Sequence, residues 1–430
     1  MEKISVIGGK RLHGSITVGG MKNAALPILL GTILVGDKCV IENLPEISDI
    51  KSSLDILSAM GARVRMIDRT TVEIDTKDVR PCTMPYDLAR SMRASYYVVG
   101  AELGRFGVSR AACPGGCDFG VRPIDQHIKG FEALGASVDV VDGCIQCSAK
   151  EGLTGSSIYM DIVSVGATIN IMLSAVLAKG MTVIDNAAKE PHIVDVANFL
   201  NTCGADISGA GTDVIKIRGV ESLHGVTYAI IPDMIEAGTF MMAAAATGSD
   251  LTIENVIPKH LESITAKLEE MGIEVEDYGD AVRVKPAQGP LRRINVKTMP
   301  YPGYPTDMNP QICVLLCLAQ GTSILTEGVW DTRFKYVSEL TRMGASINVE
   351  GRKAVIEGGK PLKPATVKCS DLRAGAAMVI AALATEGETI IENIYHIERG
   401  YEHLVEKLSG AGAEIKKIYV PDDASSSKAI

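Results

Sequence analysis

Apolar and polar positions along this chain follow a pattern that recurs six times. Each repeat begins with an alanine-rich stretch such as 374–384, which is hydrophobic on nearly all sides and therefore predicts a buried helix. A short β-branched strand follows, and then an amphipathic helix, in which Leu261, Ile264, Leu268 and Met271 form one apolar stripe. A glycine ends that helix and a pair of strands closes the repeat. The pattern predicts six βαβαββ units in an α/β protein.

The repeat is clearest at the glycine that ends the second helix, which is Gly61, Gly135, Gly204, Gly272, Gly344 and Gly412 in turn. The intervals between these glycines are 74, 69, 68, 72 and 68 residues. Four repeats also share an upstream stretch, which reads VIENLP at 40–45, VIDNAA at 183–188, TIENVI at 252–257 and IIENIY at 390–395. Because this period exceeds that of common solenoids, we expect two globular lobes of three repeats each. The opening residues, through about Gly20, predict a strand pair that could join either lobe.

Composition and charge narrow the functional class. The 430 residues carry a net charge of -9, which argues against a nucleic-acid-binding surface. The start lacks the apolar region of a secretory signal, and no apolar run approaches the roughly 18 residues of a membrane span. We therefore expect a cytoplasmic protein with no membrane or nucleic-acid partner.

The ten cysteines give no sign of a disulfide framework or a metal site. Cys144 and Cys147 form a C-x-x-C, but no second pair follows at ligand spacing, and in a strand the two would point to opposite faces. Cys313 and Cys317 lie in an apolar helix and are expected in the core. We predict no metal.

Residues that break the repeat are the candidates for chemistry. Lys22 follows two glycines at the start of a helix, a position that suits an anion or an ordinary turn. Cys117 lies in a segment rich in glycine and proline, where an exposed thiol and the nearby Arg122 could act on a mobile lid, or where the cysteine could be idle. Asp307 precedes an apolar helix and could be a functional carboxylate or only an N-cap.

Basic residues recur at corresponding places in several repeats: Lys22, Arg93, Arg122, Arg333, Arg373 and Arg399. Pseudo-symmetry would direct these side chains toward a common cleft between the lobes. That arrangement predicts a ligand with several phosphate or carboxylate groups.

With these residues in view, the chain resembles the UDP-N-acetylglucosamine enolpyruvyl transferases, the UDP-N-acetylglucosamine 1-carboxyvinyltransferases. The matching segments are GGMKNAALPILL at 19–30, SMRAS at 91–95, PGGCDFGVRPID at 114–125, SVGAT at 164–168, NAAKEP at 186–191, PTDM at 305–308, SDLRA at 370–374 and YHIERGYE at 395–402. The resemblance extends to about residue 417. It implies an enzyme that starts peptidoglycan synthesis by moving the enolpyruvyl group of phosphoenolpyruvate to UDP-N-acetylglucosamine.

The resemblance also implies a fold: a two-lobed inverse α/β barrel with six βαβαββ repeats, three per lobe. The N-terminal lobe would comprise residues 22–231, with a lid loop at 113–123. The C-terminal lobe would comprise residues 1–21 and 232–420, and residues 421–430 would form a flexible tail. We expect a monomer.

Roles for individual residues follow from the same resemblance. Cys117 matches the lid cysteine that acts as general acid, forms a covalent adduct with phosphoenolpyruvate and is the target of fosfomycin. Asp307 matches the carboxylate near the attacking sugar hydroxyl. Lys22, Arg122 and Arg399 match residues that hold phosphoenolpyruvate, and no metal or organic cofactor is implied.

The remaining matches concern substrate binding. The resemblance assigns UDP-sugar contacts to Arg93, Arg122, Pro123, Ile124, Asp125, Gln126, Ser164, Val165, Gly166 and Val329, and it places Asn23 in the substrate site beside Lys22. Arg333 and Arg373 are expected to bind substrate because they belong to the recurring basic residues. Ile162 and Met234 stand where several relatives carry a basic residue. Two alternatives stay open, a shikimate-pathway enolpyruvyl transferase and a catalytically idle paralogue that binds UDP-sugars. The shikimate enzyme lacks a lid cysteine equivalent to Cys117.

Overall fold

The computed structural model describes residues 2–81, 96–112, 124–141 and 143–420. The α-helices of this part of the chain are α1 (Lys22–Val35), α2 (Ser48–Ala59), α3 (Tyr97–Phe106), α4 (Asp125–Ala133), α5 (Val165–Ala175), α6 (Pro191–Thr202), α7 (Met234–Ala246), α8 (Glu262–Glu270), α9 (Asn309–Leu318), α10 (Val337–Arg342), α11 (Leu372–Leu383) and α12 (Leu404–Gly410).

The strands up to the middle of the chain are β1 (Glu2–Gly8), β2 (Ser15–Thr17), β3 (Lys38–Glu42), β4 (Arg63–Met66), β5 (Val72–Asp75), β6 (Val108–Ala112), β7 (Ser137–Val141), β8 (Cys144–Ser148), β9 (Ser157–Tyr159), β10 (Met181–Asp185), β11 (Asp206–Ser208), β12 (Val214–Arg218) and β13 (Thr227–Ala229). Those that follow are β14 (Leu251–Glu254), β15 (Val275–Asp277), β16 (Ala281–Val284), β17 (Val296–Lys297), β18 (Gly321–Thr326), β19 (Ser346–Glu350), β20 (Lys353–Gly358), β21 (Thr366–Lys368), β22 (Gly387–Glu392) and β23 (Glu414–Tyr419).

The chain divides into two compact units. The N-terminal unit comprises Gly19–Pro232 with Pro300–Pro302, and the C-terminal unit comprises Met1–Val18, Asp233–Met299 and Gly303–Ile430. Among the described residues each unit holds three small sheets, and the order of elements is the expected alternation of strands and helices.

The sheets share one topology. In repeat five, β17 runs parallel to β18, β18 pairs antiparallel with β20, and β19 pairs antiparallel with β20. The same pattern holds in repeats one, three, four and six, whereas the sheet of repeat two has three strands among the described residues. The predicted βαβαββ unit is therefore confirmed in five complete copies.

Two repeats borrow their first strand from a distant part of the chain. Repeat one pairs β3 with β13, and repeat four pairs β14 with β2. In repeat six, β1 lies between β22 and β23 and pairs antiparallel with both. The two opening strands, for which the repeat pattern left the lobe open and the resemblance implied the C-terminal lobe, thus lie in two different sheets of the C-terminal unit.

The recurring glycines and asparagines have a conformational cause. All six helix-ending glycines adopt positive φ, between 91° and 102°, as a C′ residue in a left-handed conformation requires. The asparagines of the shared stretch are also left-handed, with φ between 56° and 61°: Asn43, Asn186, Asn255 and Asn393. Asn tolerates this region better than most residues. The side-chain amides of the first three donate to a carbonyl of the adjacent parallel strand or the residue after it, at 2.7–2.8 Å.

The predicted cores are confirmed. Every residue of α11 after its first is buried, and the predicted stripe of the amphipathic helix before Gly272 is at most 1% exposed. Cys313 and Cys317 are buried in α9, and β8 carries Cys147 buried with Cys144 half-buried. None of the described helices is long and apolar enough to cross a bilayer.

Candidate active site

Two buried arginines flank Asp307 in the C-terminal unit. Arg373 donates to Asp307 Oδ2 from Nη2 at 3.0 Å and from Nε at 3.3 Å. Arg333 Nη2 lies 3.5 Å from the other oxygen, Oδ1. The side chains of both arginines are only 5–6% exposed, whereas the Asp307 carboxylate is 30% exposed. The structure therefore brings three predicted residues together around one accessible carboxylate.

Asp307 is not a helix cap. It lies inside a short 3-10 helix, Thr306–Met308, and the N-cap of α9 is Met308, which makes no side-chain capping bond. The alternative that Asp307 only caps a helix is therefore wrong. Its carboxylate is instead directed at the two guanidinium groups.

Neighbouring residues hold the backbone and the guanidinium group of Arg373 in place. Asp371 caps α11 and accepts from the backbone N–H groups of Arg373 and Ala374, at 2.9 and 3.1 Å. The guanidinium lies over the ring of Tyr401, 5.4 Å from its centroid, in a cation–π contact. Burial alone would lower the pKa of Arg373, but the neighbouring Asp307, Tyr401 and Asp233 outweigh it and raise that pKa. Arg373 therefore stays charged.

Asp233 is the second buried carboxylate near Arg373. It caps α7 by accepting from the N–H of Ile235 at 2.8 Å and of Glu236 at 3.3 Å. Burial raises its pKa, and the charge of Arg373 opposes that rise. The charge of Arg373 therefore acts on Asp233 as well as on Asp307, although of these two carboxylates only Asp307 accepts hydrogen bonds from it.

Val329, a predicted sugar contact, lies in a loop held by Glu327. The amides of Val329 and Trp330 donate to Glu327 Oε1 at 2.8 and 3.0 Å. Sequence reasoning missed Glu327. The signal that could have found it is the loss of the shared asparagine in repeat five, where Gly328 follows the acidic residue.

In the N-terminal unit, Lys22 begins α1 as predicted. Its Nζ lies 2.6 Å from Asp49 Oδ2, and both side chains are largely buried, at 12% and 7% exposure. Asn23, the next residue, is half-buried. Asp49 is a second residue that sequence reasoning missed, since one acidic residue on an amphipathic helix gives no signal.

Two predicted UDP-sugar segments of the N-terminal unit are joined. Gln126 accepts from the N–H of Asp161 at 2.9 Å and donates to its carboxylate at 3.2 Å, which ties the start of α4 to the loop before Ser164. Ser164 caps α5 through the N–H of Ala167. A Cβ added at Gly166 would lie 3.1 Å from His127 Nε2. The structure thus places Ile124, Asp125 and Gln126 close to Ser164, Val165 and Gly166.

His127 packs beneath these segments as a neutral group. Burial lowers its pKa to about 4, against a weaker opposing effect of Asp125, and its ring meets that of Tyr96 edge-on at 4.9 Å. A neutral imidazole adds no charge to this part of the site.

Four predicted residues lie outside the described ranges: Arg93, Cys117, Arg122 and Pro123. Arg399 ends the 3-10 helix Ile394–Arg399, two residues before Tyr401, and is half-buried.

Comparison with known proteins adds to this geometry. The family model described as EPSP synthase (3-phosphoshikimate 1-carboxyvinyltransferase) matches residues 6–408. UDP-N-acetylglucosamine 1-carboxyvinyltransferase 3 of Caldanaerobacter subterraneus subsp. tengcongensis is 53% identical over 418 residues, 97% of this chain and 100% of that protein. UDP-N-acetylglucosamine 1-carboxyvinyltransferase 2 of Bacillus subtilis is 50% identical over 423 residues, 98% of each chain.

Solved structures agree on the fold. The enolpyruvyl transferase NikO from Streptomyces tendae superimposes with a TM-score of 0.88 at 28% identity, covering 98% of this chain and 99% of that one. EPSP synthase from Acinetobacter baumannii superimposes with a TM-score of 0.76 at 20% identity, covering 97% of this chain and all of that one. The predicted enolpyruvyl transferase fold is confirmed.

Proposed function

The chain belongs to the EPSP synthase family, and we propose that it transfers the enolpyruvyl group of phosphoenolpyruvate to the 3-hydroxyl of UDP-N-acetylglucosamine and releases phosphate. Relatives that carry this activity in their names match it over nearly their whole length at 50–53% identity. The product is UDP-N-acetylglucosamine-enolpyruvate, made in the first committed step of peptidoglycan synthesis. This identity favours the UDP-sugar acceptor over the shikimate-pathway acceptor that gives the family its name.

The observation that carries the proposal is the accessible Asp307 carboxylate held between Arg333 and Arg373. A carboxylate held by two guanidinium groups has a defined orientation. One exposed edge is then available to orient a substrate hydroxyl and to accept its proton. Burying two guanidinium groups is costly, and their contacts with the Asp307 carboxylate offset part of that cost.

The reaction needs an acid and a base in its addition step. In our proposal Asp307 accepts the proton of the sugar 3-hydroxyl as that oxygen bonds to C2 of phosphoenolpyruvate. Cys117 donates a proton to C3, so that the double bond becomes a tetrahedral phosphate adduct. In the second step C3 returns a proton to the Cys117 thiolate and the double bond re-forms in the product. The bond between C2 and the phosphate oxygen breaks, and phosphate leaves with the electron pair and takes up the proton held by Asp307.

Basic residues hold the anionic groups throughout. We assign the phosphate and carboxylate of phosphoenolpyruvate to Lys22, Arg122 and Arg399, which would also stabilise the departing phosphate. The pairing of Lys22 with Asp49 supports a fixed position for the Lys22 ammonium group.

Binding of the nucleotide sugar is assigned to a separate set of residues. This set is Arg93, Arg122, Pro123, Ile124, Asp125, Gln126, Ser164, Val165, Gly166 and Val329, and Asn23 is assigned to the substrate site beside Lys22. The hydrogen bonds between Gln126 and Asp161 support a preformed arrangement of its central part. We also propose a cytoplasmic location, which the seven free thiols of the described residues support.

Phosphate release provides the test. Purified protein should release phosphate from phosphoenolpyruvate when UDP-N-acetylglucosamine is the acceptor, and not when shikimate 3-phosphate replaces it. Phosphate release with shikimate 3-phosphate as acceptor, and none with UDP-N-acetylglucosamine, would favour the shikimate-pathway alternative. Binding of the UDP-sugar without any release would favour the idle paralogue, and either outcome would refute the proposal.

A further inference from the structure

Glu327 departs from the behaviour of its counterparts in the other repeats. The shared stretch places an acidic residue before the left-handed asparagine, at Glu42, Asp185, Glu254 and Glu392. Those four side chains are exposed or half-buried. Glu327 occupies the same place in repeat five and is only 1% exposed.

The backbone explains the difference. Gly328 stands where four of the other repeats have asparagine, and it does not adopt their positive φ. It passes so close to repeat five's first strand that an added Cβ would lie 2.2 Å from the Thr298 carbonyl oxygen. Its N–H instead donates to Thr298 Oγ1 at 2.9 Å. The backbone after β18 therefore follows a different path from that in the repeats with asparagine, and the Glu327 side chain is buried.

Each carboxylate oxygen of Glu327 holds one functional segment. Oε1 accepts from the amides of Val329 and Trp330 at 2.8 and 3.0 Å. Oε2 accepts from Thr306 Oγ1 at 3.1 Å and from Asn309 Nδ2 at 2.9 Å, on either side of Asp307.

We propose that Glu327 is a positioning residue, which fixes the turn carrying Asp307 relative to the loop carrying Val329. This inference rests on the proposed function, since it assigns those two segments to the sugar. A buried carboxylate that accepts four hydrogen bonds is a rigid connection, because moving either segment would leave an acceptor unsatisfied.

The neighbouring network requires a carboxylate and not an amide. Tyr336 Oη donates to Asn309 Oδ1 at 2.6 Å, which fixes the amide so that Nδ2 faces Glu327. In Glu327→Gln, either the new NH₂ group would face the Asn309 amide nitrogen or it would face the two backbone N–H groups. In both orientations of the glutamine, its NH₂ group therefore faces another hydrogen-bond donor, and that donor loses its acceptor.

The test combines kinetics with hydrogen exchange on the full chain. In Glu327→Gln we expect kcat to fall about tenfold or more and the KM for UDP-N-acetylglucosamine to rise severalfold, as for other misplaced groups. The KM for phosphoenolpyruvate should stay within about twofold, because Glu327 holds neither of the segments assigned to it. The amides of Val329 and Trp330 should exchange faster, and Glu327→Asp should recover part of the turnover.

Two further variants separate positioning from stability. Glu254→Gln changes the exposed counterpart in the same unit, which only accepts a 3.3 Å bond from Thr17, and should leave all these quantities within twofold. Thr306→Val removes one donor to Oε2 with little change of shape. It should lower kcat by a smaller factor and leave the Val329 and Trp330 amides unchanged, which keeps the test valid if Glu327→Gln does not fold.

Unaltered kcat and unaltered amide exchange in folded Glu327→Gln would overturn the proposal. So would a Thr306→Val variant with wild-type kcat, or a loss of activity in Glu327→Gln that equals its loss of folded protein. If the wild-type protein released no phosphate, the proposed function would fail, whereas the exchange measurement would still test the connection made by Glu327.

Discussion

The buried pair of Arg373 and Asp307 allows a quantitative test, because the same unit contains an exposed pair of similar geometry. Arg283 donates to Asp250 through Nε and Nη2, both at 2.7 Å, and these side chains are 39% and 47% exposed. Arg373 donates through the same two nitrogens, although both bonds go to Oδ2 of Asp307, and its side chain is only 6% exposed. The perturbation is replacement of either arginine by methionine, which keeps most of the aliphatic stem and removes the charge.

We expect Arg373→Met to lower the free energy of unfolding of the C-terminal unit by about 3–5 kcal/mol, the usual cost of breaking a buried ion pair. Two charge-assisted hydrogen bonds to Asp307 are lost, and so is the contact with the Tyr401 ring. The buried Asp233 carboxylate also loses the guanidinium that opposes the rise in its pKa. Arg283→Met should change the free energy far less, because water and salt screen an exposed pair.

Urea unfolding followed by tryptophan fluorescence measures this quantity. Trp330 is the only tryptophan of the chain and lies in the C-terminal unit, so its emission reports on the unit that holds both pairs. Arg373→Lys provides an intermediate variant, since it keeps the charge but loses the planar two-donor geometry.

Equal losses of stability in Arg373→Met and Arg283→Met would refute the reasoning, because burial is the main difference between the two pairs. A loss below about 1 kcal/mol in Arg373→Met would also refute it, since that is the range of exposed pairs. Recovery of part of the loss on adding Asp307→Asn to Arg373→Met would support the pairing directly.

Three other outcomes are expected. Lys22→Met should lower kcat by about 10²–10³-fold, since it removes a cation from the assigned phosphate contact, and near-normal turnover would contradict that role. Cys117→Asp should keep measurable transfer with its pH optimum moved toward acid and should resist an epoxide phosphonate such as fosfomycin, whereas Cys117→Ser should lose most activity. Profiles of rate against pH and rates of inactivation by the epoxide test this. Equal behaviour of the wild type and both variants would contradict the role of the thiol. Burial raises the pKa of Asp195 to about 6 despite its bond from Tyr228, so its contribution to stability is present below about pH 4 and lost as pH rises through about 6. Urea unfolding followed by circular dichroism should show a wild-type free energy that falls by about 3 kcal/mol relative to Asp195→Asn over this range, and parallel pH dependences would contradict the assignment.

Part of the candidate site could be predicted because its residues break a repeat. Asp307 was identified this way, whereas Arg333 and Arg373 were identified because basic residues recur at corresponding places in the repeats. The structure brings the three residues together. Glu327 and Asp49 were missed. Glu327 has only an indirect sequence signal, the glycine that replaces the shared asparagine after it, and its role is visible in its hydrogen bonds. Asp49 has no sequence signal, and only its contact with Lys22 distinguishes it from a surface carboxylate.

The sequence by itself determined the repeated unit. A helix with apolar residues on all sides is buried, and this can be read from its sequence. The ends of the second helices depend on single glycines such as Gly61 or Gly272, because the residue after the helix adopts a left-handed conformation. The left-handed asparagines of the shared stretch follow the same logic, because Asn43 and its counterparts satisfy a local backbone demand and then bond one adjacent strand.

Only the tertiary structure decided which distant segments meet. The sequence did not assign β1 to the sheet of repeat six or β13 to that of repeat one. A short strand can pair with any unpaired sheet edge, and the packing of the repeats decides which edge lies beside it. Asp307 could have been a cap until its carboxylate was seen with Arg373, 66 residues further along the chain. Such contacts depend on how whole repeats pack against one another, and local residue patterns do not predict that packing.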